Sequence, residues 1–168
     1  MKKLIWGVAL AGLAFGFMLV GALVLPERLP LMRDHLAEKY LYQRTIQGED
    51  FEFLVIQLED AIAARNYTIV NTAHVGNAVE KRGYQLGRML VIEFCNLEMA
   101  ARILQKDRRI LSMMPCRIAL YEEGDAVKVV AMRPIIMSRI FKDDPEIRNL
   151  AETVETDMIG MIDSLADN

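Results

Sequence analysis

The chain has 168 residues, 53% of them apolar, and a formal net charge of −3 that becomes −5 without Lys2 and Lys3. That length suits one domain plus accessories, and a mildly acidic balance with no clustered Lys and Arg excludes a nucleic-acid partner. Two cysteines are too few for a disulfide-dense scaffold, yet enough for one bridge or one two-thiolate site.

Residues 4–25 contain no charged and no polar side chain. As a helix, this run spans the roughly 30 Å hydrocarbon core of a bilayer, and it is apolar on every side, as lipid demands. Lys2 and Lys3 precede it, Trp6 sits where an indole favours the interface, and Pro26 closes it. A cleavable signal peptide is the competing reading, but its apolar region is usually about 7–15 residues and ends at a small-x-small site. Here Leu23, Val24 and Leu25 follow Gly21 and Ala22, so an uncleaved transmembrane anchor over residues 1–26 is expected. The flanking charges nearly tie: Lys2 and Lys3 stand before the run, and Arg28, Arg33 and Lys39 after it among Glu27, Asp34 and Glu38. A short basic head on a long apolar run resembles an export signal. The expected location is therefore a bacterial inner membrane, crossed once, with the soluble domain in the periplasm. Gly12 and Gly16 are four apart, a spacing that lets two membrane helices approach closely, although glycine is common in such helices for other reasons.

Residues 27–48 read as a juxtamembrane segment. Met32, Leu36 and Tyr40 recur four apart among charged residues, which predicts a helix over residues 31–44 before Gln47-Gly48 breaks it. The globular domain is expected over residues 49–168. Residues 50–65 form a helix with Phe51, Leu54, Val55, Leu58, Ala61 and Ile62 on one face, ending at Asn66. Residues 67–70 read as a strand, 74–87 as a loop with one helical turn, and 88–95 as a strongly apolar strand. Asn96 then caps a helix to Lys106. Residues 117–121 and 126–132 are strands joined by a tight hairpin, in which Gly124 can adopt positive φ. Asp144-Pro145 opens a final amphipathic helix whose stripe runs from Ile147 to Leu165. This order predicts an α/β (α+β) domain, a mixed sheet of about four strands with packed helices.

The chemistry-bearing residues gather in two short stretches, EFCN at a strand end and MMPC before the next strand. If those strands are neighbours, Cys95 and Cys116 approach one another, with Met114 beside them and a helix N-terminus next to Cys95 to stabilise a thiolate. Three readings stand open: a structural disulfide between Cys95 and Cys116, two buried cysteines acting as small hydrophobes, or a soft site for copper(I), haem iron or a sulfur-containing ligand. His74, in a loop, is a candidate ligand, or merely solvated. Glu93 shares a strand face with Cys95 and is a candidate proton acceptor, or an Arg-paired surface residue. No C-x-x-C, no Ser/His/acid cluster and no glycine-rich phosphate loop is present, so no catalytic residue is assigned.

The helix over residues 51–66, the strand LVIEFCN with its following helix, and MMPCRIALYEEGDAVKVVAMRP with its hairpin resemble the domain-of-unknown-function family numbered 302 over residues 51–134. The family's usual Asn-Pro is Asn96-Leu97 here, a departure at the start of the second helix. The resemblance implies a compact α/β domain that tends to form homodimers, and it implies no reaction. Three functions remain: a membrane-anchored extracytoplasmic module binding a ligand or redox cofactor at the cysteines, an accessory subunit of a larger membrane complex, or a cysteine-dependent redox enzyme.

Overall fold

The computed structural model describes residues 37–141 and 143–166. The expected membrane helix, with Gly12 and Gly16, lies outside the described residues, and among them no helix is long and apolar enough to cross a membrane. From Leu41 onward the elements run β1 (Leu41–Gln47), α1 (Phe51–Ala64), β2 (Thr68–Ala73), α2 (Val75–Glu80), β3 (Met89–Cys95) and α3 (Leu97–Lys106). A 3-10 helix (Arg108–Met113), β4 (Cys116–Glu123), β5 (Ala126–Met132), α4 (Ile136–Ile140) and α5 (Pro145–Asp163) complete the chain.

The five strands form one sheet in the order β1-β5-β4-β3-β2, with every pair antiparallel. Two expectations are corrected here: the sheet is antiparallel rather than mixed, and it has five strands rather than about four. The added strand is β1, in a stretch expected to continue the juxtamembrane helix to residue 44. Helical backbone covers residues 37–40, after which Leu41 pairs with Met132 and the register holds to Gln47 opposite Ala126. The reason lies in Arg44, a charged residue on the face that Tyr42 and Ile46 turn toward the core. Its guanidinium sits 4.7 Å from the Tyr42 ring and 2.8 Å from Asp163 of α5. An exposed charged residue between Tyr42 and Ile46 hides the alternation that marks a strand, and pairing with β5 then outweighs local preference.

One sheet face is covered by α1 and α5. Leu90, Ile92 and Phe94 of β3, Ile118 and Leu120 of β4, and Val127 and Val129 of β5 pack against Leu54, Leu58 and Ile62 of α1 and Met158, Met161 and Ile162 of α5. A second, smaller cluster joins Ile103 of α3, Ile110 of the 3-10 helix and Met137 of α4 to Ile147, Leu150 and Ala151 of α5. The helix limits expected near Asp50, Asn66 and Asp144 are set by caps. Asp50 and Asp144 each accept two backbone N–H bonds at the starts of α1 and α5, and Asn66 ends α1 at a φ of 65°. Gly124, at φ 62°, makes the two-residue turn between Glu123 and Ala126.

Carboxylates of α5 tie the outlying segments to this core. The largely buried Glu155 accepts from the Nε of Arg133 at 2.9 Å and from the backbone N–H of Ile135 at 2.8 Å. The Tyr67 hydroxyl donates to Asp157 at 2.8 Å and the Tyr42 hydroxyl to Asp163 at 2.5 Å. Burial, reinforced by the Asp163 carboxylate, pushes the Tyr42 phenol up to about 12.

Two helical glycines differ in what surrounds them. A Cβ on Gly76 of α2 would stand 2.9 Å from the backbone oxygen of Gly87 and the backbone nitrogen of Met89. A Cβ on Gly160 of α5 would meet only the Arg65 side chain, also at 2.9 Å. Alanine raises helix propensity by about 0.5–1 kcal/mol at either position. At Gly76 the fixed backbone wall should reverse this gain into a loss of about 1–3 kcal/mol, whereas Arg65 can swing aside. Thermal unfolding should show Gly76→Ala melting well below wild type and Gly160→Ala at or above it. Equal losses in both would contradict this packing.

Candidate functional site

Cys95 ends β3, and the next residue turns the chain into α3. The Asn96 Oδ1 accepts the Met99 backbone N–H at 3.0 Å, and its Nδ2 donates to the Asn66 carbonyl at 3.3 Å. One side chain therefore caps α3 and ties it to the end of α1, and such a cap contributes about 1 kcal/mol. With α3 started there, Cys95, Met99 and Ile103 follow at four-residue spacing along one wall. The chain returns through the 3-10 helix, whose first turn is held by Asp107 accepting from the Arg109 N–H at 2.9 Å. Met113 and Met114 end that turn, the Met114–Pro115 peptide is cis, and Cys116 starts β4 opposite Phe94.

The result is an apolar void of about 50 Å³ where the two hydrophobic clusters meet. Six sulfur-bearing side chains line it: Cys95, Met99, Met113, Met114, Cys116 and Met137. Asn96 and Tyr67 are its polar lining residues, and no carboxylate or imidazole is among the lining residues. Tyr67 is fixed on both sides, its ring edge-on to Phe94 with centroids 5.6 Å apart and its hydroxyl held by Asp157. Burial, seconded by that carboxylate, raises its pKa well above the ordinary phenol value. A volume of this size admits a few waters or one ion.

Both cysteines are half-buried and carry free thiols in this structure. Cys116 stands across from Phe94 and Cys95 lies one residue further along β3, which makes the two cysteines diagonal rather than directly opposite. Burial raises the Cys95 thiol and pushes Cys116 up to about 11, with the neighbouring Cys95 adding to the latter. Desolvation thus acts against the thiolate that the adjoining helix N-terminus would favour. Reactive cysteines need the opposite environment, so nucleophilic catalysis finds little support here.

Of the residues singled out from sequence, Cys95, Cys116 and Met114 come together. His74 and Glu93 do not line the void. His74 is exposed at the start of α2, just beyond Ala73, whereas Cys95 pairs with Thr68 at the other end of β2. Glu93 accepts from the Arg117 Nε at 2.8 Å and from the Asn71 Nδ2 at 3.1 Å, contacts that lower its pKa, Arg117 first. It is a paired surface carboxylate. Met99 and Met137 were missed. Met99 was findable, since it follows Cys95 by one helical turn; Met137 was not, because its position depends on the fold of α4.

A second, larger hollow of about 490 Å³ lies on the other side of the same sulfur residues. Its floor is the row Val91, Ala119 and Val130, aligned across β3, β4 and β5 on the face opposite Phe94 and Ile118. Met113, Cys116 and Met137 line both spaces.

Fold and site together define a small α+β domain, one antiparallel sheet with helices packed on it and a sulfur-lined void at the junction of two cores. The chain belongs to the DUF302 family: the model for "Domain of unknown function DUF302" matches residues 42–165. An uncharacterized protein of Aquifex aeolicus (strain VF5) is 31% identical over 88 residues, 52% of this chain, and the match spans only 56% of that relative's length. The crystal structure of an uncharacterized conserved DUF302 protein from Bacillus stearothermophilus superposes with a TM-score of 0.67 at 19% identity, covering 74% of this chain and 96% of the other. That likeness shows the fold.

The thiol environment has a direct consequence. At an ordinary value of 9.0 against about 11, neutral solution holds about a hundredfold less Cys116 thiolate than a free cysteine would. Because the raised value belongs to the folded state, the stabilisation from keeping Cys116 neutral is fully present below pH 9 and is lost as pH rises through about 11. Iodoacetamide should modify Cys116 about a hundredfold more slowly than a free thiol at pH 8, accelerating only in strongly alkaline solution. Rapid labelling at neutral pH would contradict this environment.

Proposed function

We propose that this protein is a membrane-tethered, extracytoplasmic binding module that takes a small, soft, sulfur-seeking ligand in the void between Cys95 and Cys116. The observation that carries this reading is the lining itself: six sulfur side chains converge from five separate elements and the loop before β4. Thiolate and thioether donors select soft ligands. The size of the void favours an ion over haem, since organic ligands of drug size occupy roughly 300–1,000 Å³. The uncharged apolar run over residues 4–25 supports the tether, and its basic head supports export.

Native mass spectrometry of the full-length chain, purified reduced in mild detergent, tests the binding reading. The expected spectrum carries a mass excess that is lost in Cys95→Ser and Cys116→Ser. A bare mass, or an excess that both variants keep, contradicts it. An alkaline phosphatase joined after Asn168 should be active in cells if the domain is exported, and inactive if it faces the cytoplasm.

A second reading, an accessory subunit or homodimer, draws on the half-buried row Val91, Ala119 and Val130 and the exposed Met132 beside it. A lysine at Met132 should then shift the detergent-solubilised protein to a smaller assembly in light scattering while its thermal midpoint stays unchanged.

A further inference from the structure

We infer that the ligand of the sulfur void is a single copper(I) ion, held by Cys95, Cys116 and the thioether of Met114. This inference rests on the binding reading above and names the ligand class. The donor set discriminates among metals. Structural zinc takes four ligands from Cys, His and carboxylates, and here two cysteines are joined by no imidazole or carboxylate. Among the described residues no three His, Cys, Asp or Glu side chains gather anywhere to hold a metal. An iron–sulfur cluster asks for four thiolates, and haem for far more room than about 50 Å³. Copper(I) is the common biological ion for which thioethers serve as well as thiolates.

Charge points the same way. An uncompensated charge in an apolar void is costly. A monovalent ion is neutralised when one of Cys95 and Cys116 binds as its thiolate and the other as a neutral thiol, and the Met114 thioether adds a donor without adding charge. Each cysteine that binds as a thiolate releases its proton to solvent, and no electron is transferred. The larger hollow adjoins the void, and Met113, Cys116 and Met137 line both.

The test titrates the reduced, full-length chain in mild detergent, without oxygen, against copper(I) held by a chromophoric chelator whose absorbance reports the ion withdrawn. One equivalent should be withdrawn. Cys95→Ser and Cys116→Ser should each weaken binding by more than about a hundredfold, beyond the roughly 10–100-fold cost of losing an outer partner of a metal ligand. Met114→Leu keeps the apolar volume, guards against a mere folding failure, and should weaken binding about tenfold. Met132→Leu, outside the void, should leave it unchanged. Zinc(II) offered to the same protein should not be retained. No withdrawal of copper(I), or an unaltered affinity in both cysteine variants, overturns the assignment. If copper(I) is refused while native spectra still show a thiol-dependent mass excess, the copper assignment fails and the binding module stands. If both are absent, both fail.

Discussion

The apolar stripe of α5 serves two cores at once, and the geometry of the site follows from that division. Nineteen residues make a helix about 28 Å long, longer than the face of either cluster alone. Its first half gives Ile147, Leu150 and Ala151 to the smaller cluster, and its second half gives Met158, Met161 and Ile162 to the main one. Val154, midway, touches the main core and lines the void. Where α5 passes from one core to the other the packing does not close, and the remaining space is bordered by four flexible methionines as well as by the branched Ile103, Ile110, Leu150 and Val154. Methionine suits such a boundary, since its unbranched thioether follows an irregular surface. Glu155, one residue further, holds Arg133 and Ile135 and so fixes the approach to α4, which brings Met137 to the same place.

The chemistry of the void is defined as much by what it excludes. Glu93 is committed to Arg117 and Asn71, and Asp157 to Tyr67. The acids closest to the site in sequence or space are therefore engaged elsewhere, and sulfur is left as the principal donor. The half-buried thiols are held neutral by desolvation. A neutral thiol is a poor nucleophile, while a soft cation can displace its proton. Binding is thus better supported than covalent catalysis.

Much of the fold was legible in the sequence because local rules and tertiary structure agree there. Asp50, Asn96 and Asp144 announce helix starts, Asn66 and Gly124 take the positive φ that ends a helix or turns a hairpin, and the α5 stripe has helical spacing. β1 was not legible: Arg44 stands among its core-facing residues, and only the distant Asp163 and the Tyr42 ring make that position acceptable. The sheet's all-antiparallel character was also hidden, because a helix between β3 and β4 usually signals a parallel crossover. For the site, Cys95, Cys116 and Met114 could be grouped by sequence proximity to strand ends. Their relation to Met137 could not, since it is set by the contact of α4 with α5. His74 looked functional only because a loop histidine carries no sequence sign of which end of the strand it occupies.

X-ray absorption at the copper edge of the copper(I)-loaded, full-length protein tests the central claim most directly, because it reads the atoms around the ion without reference to affinity. A void lined by sulfur predicts a coordination shell made only of sulfur, reduced in number when Met114 is replaced by leucine. A shell of nitrogen or oxygen atoms, or one unaffected by replacing Cys95 and Cys116, would contradict it.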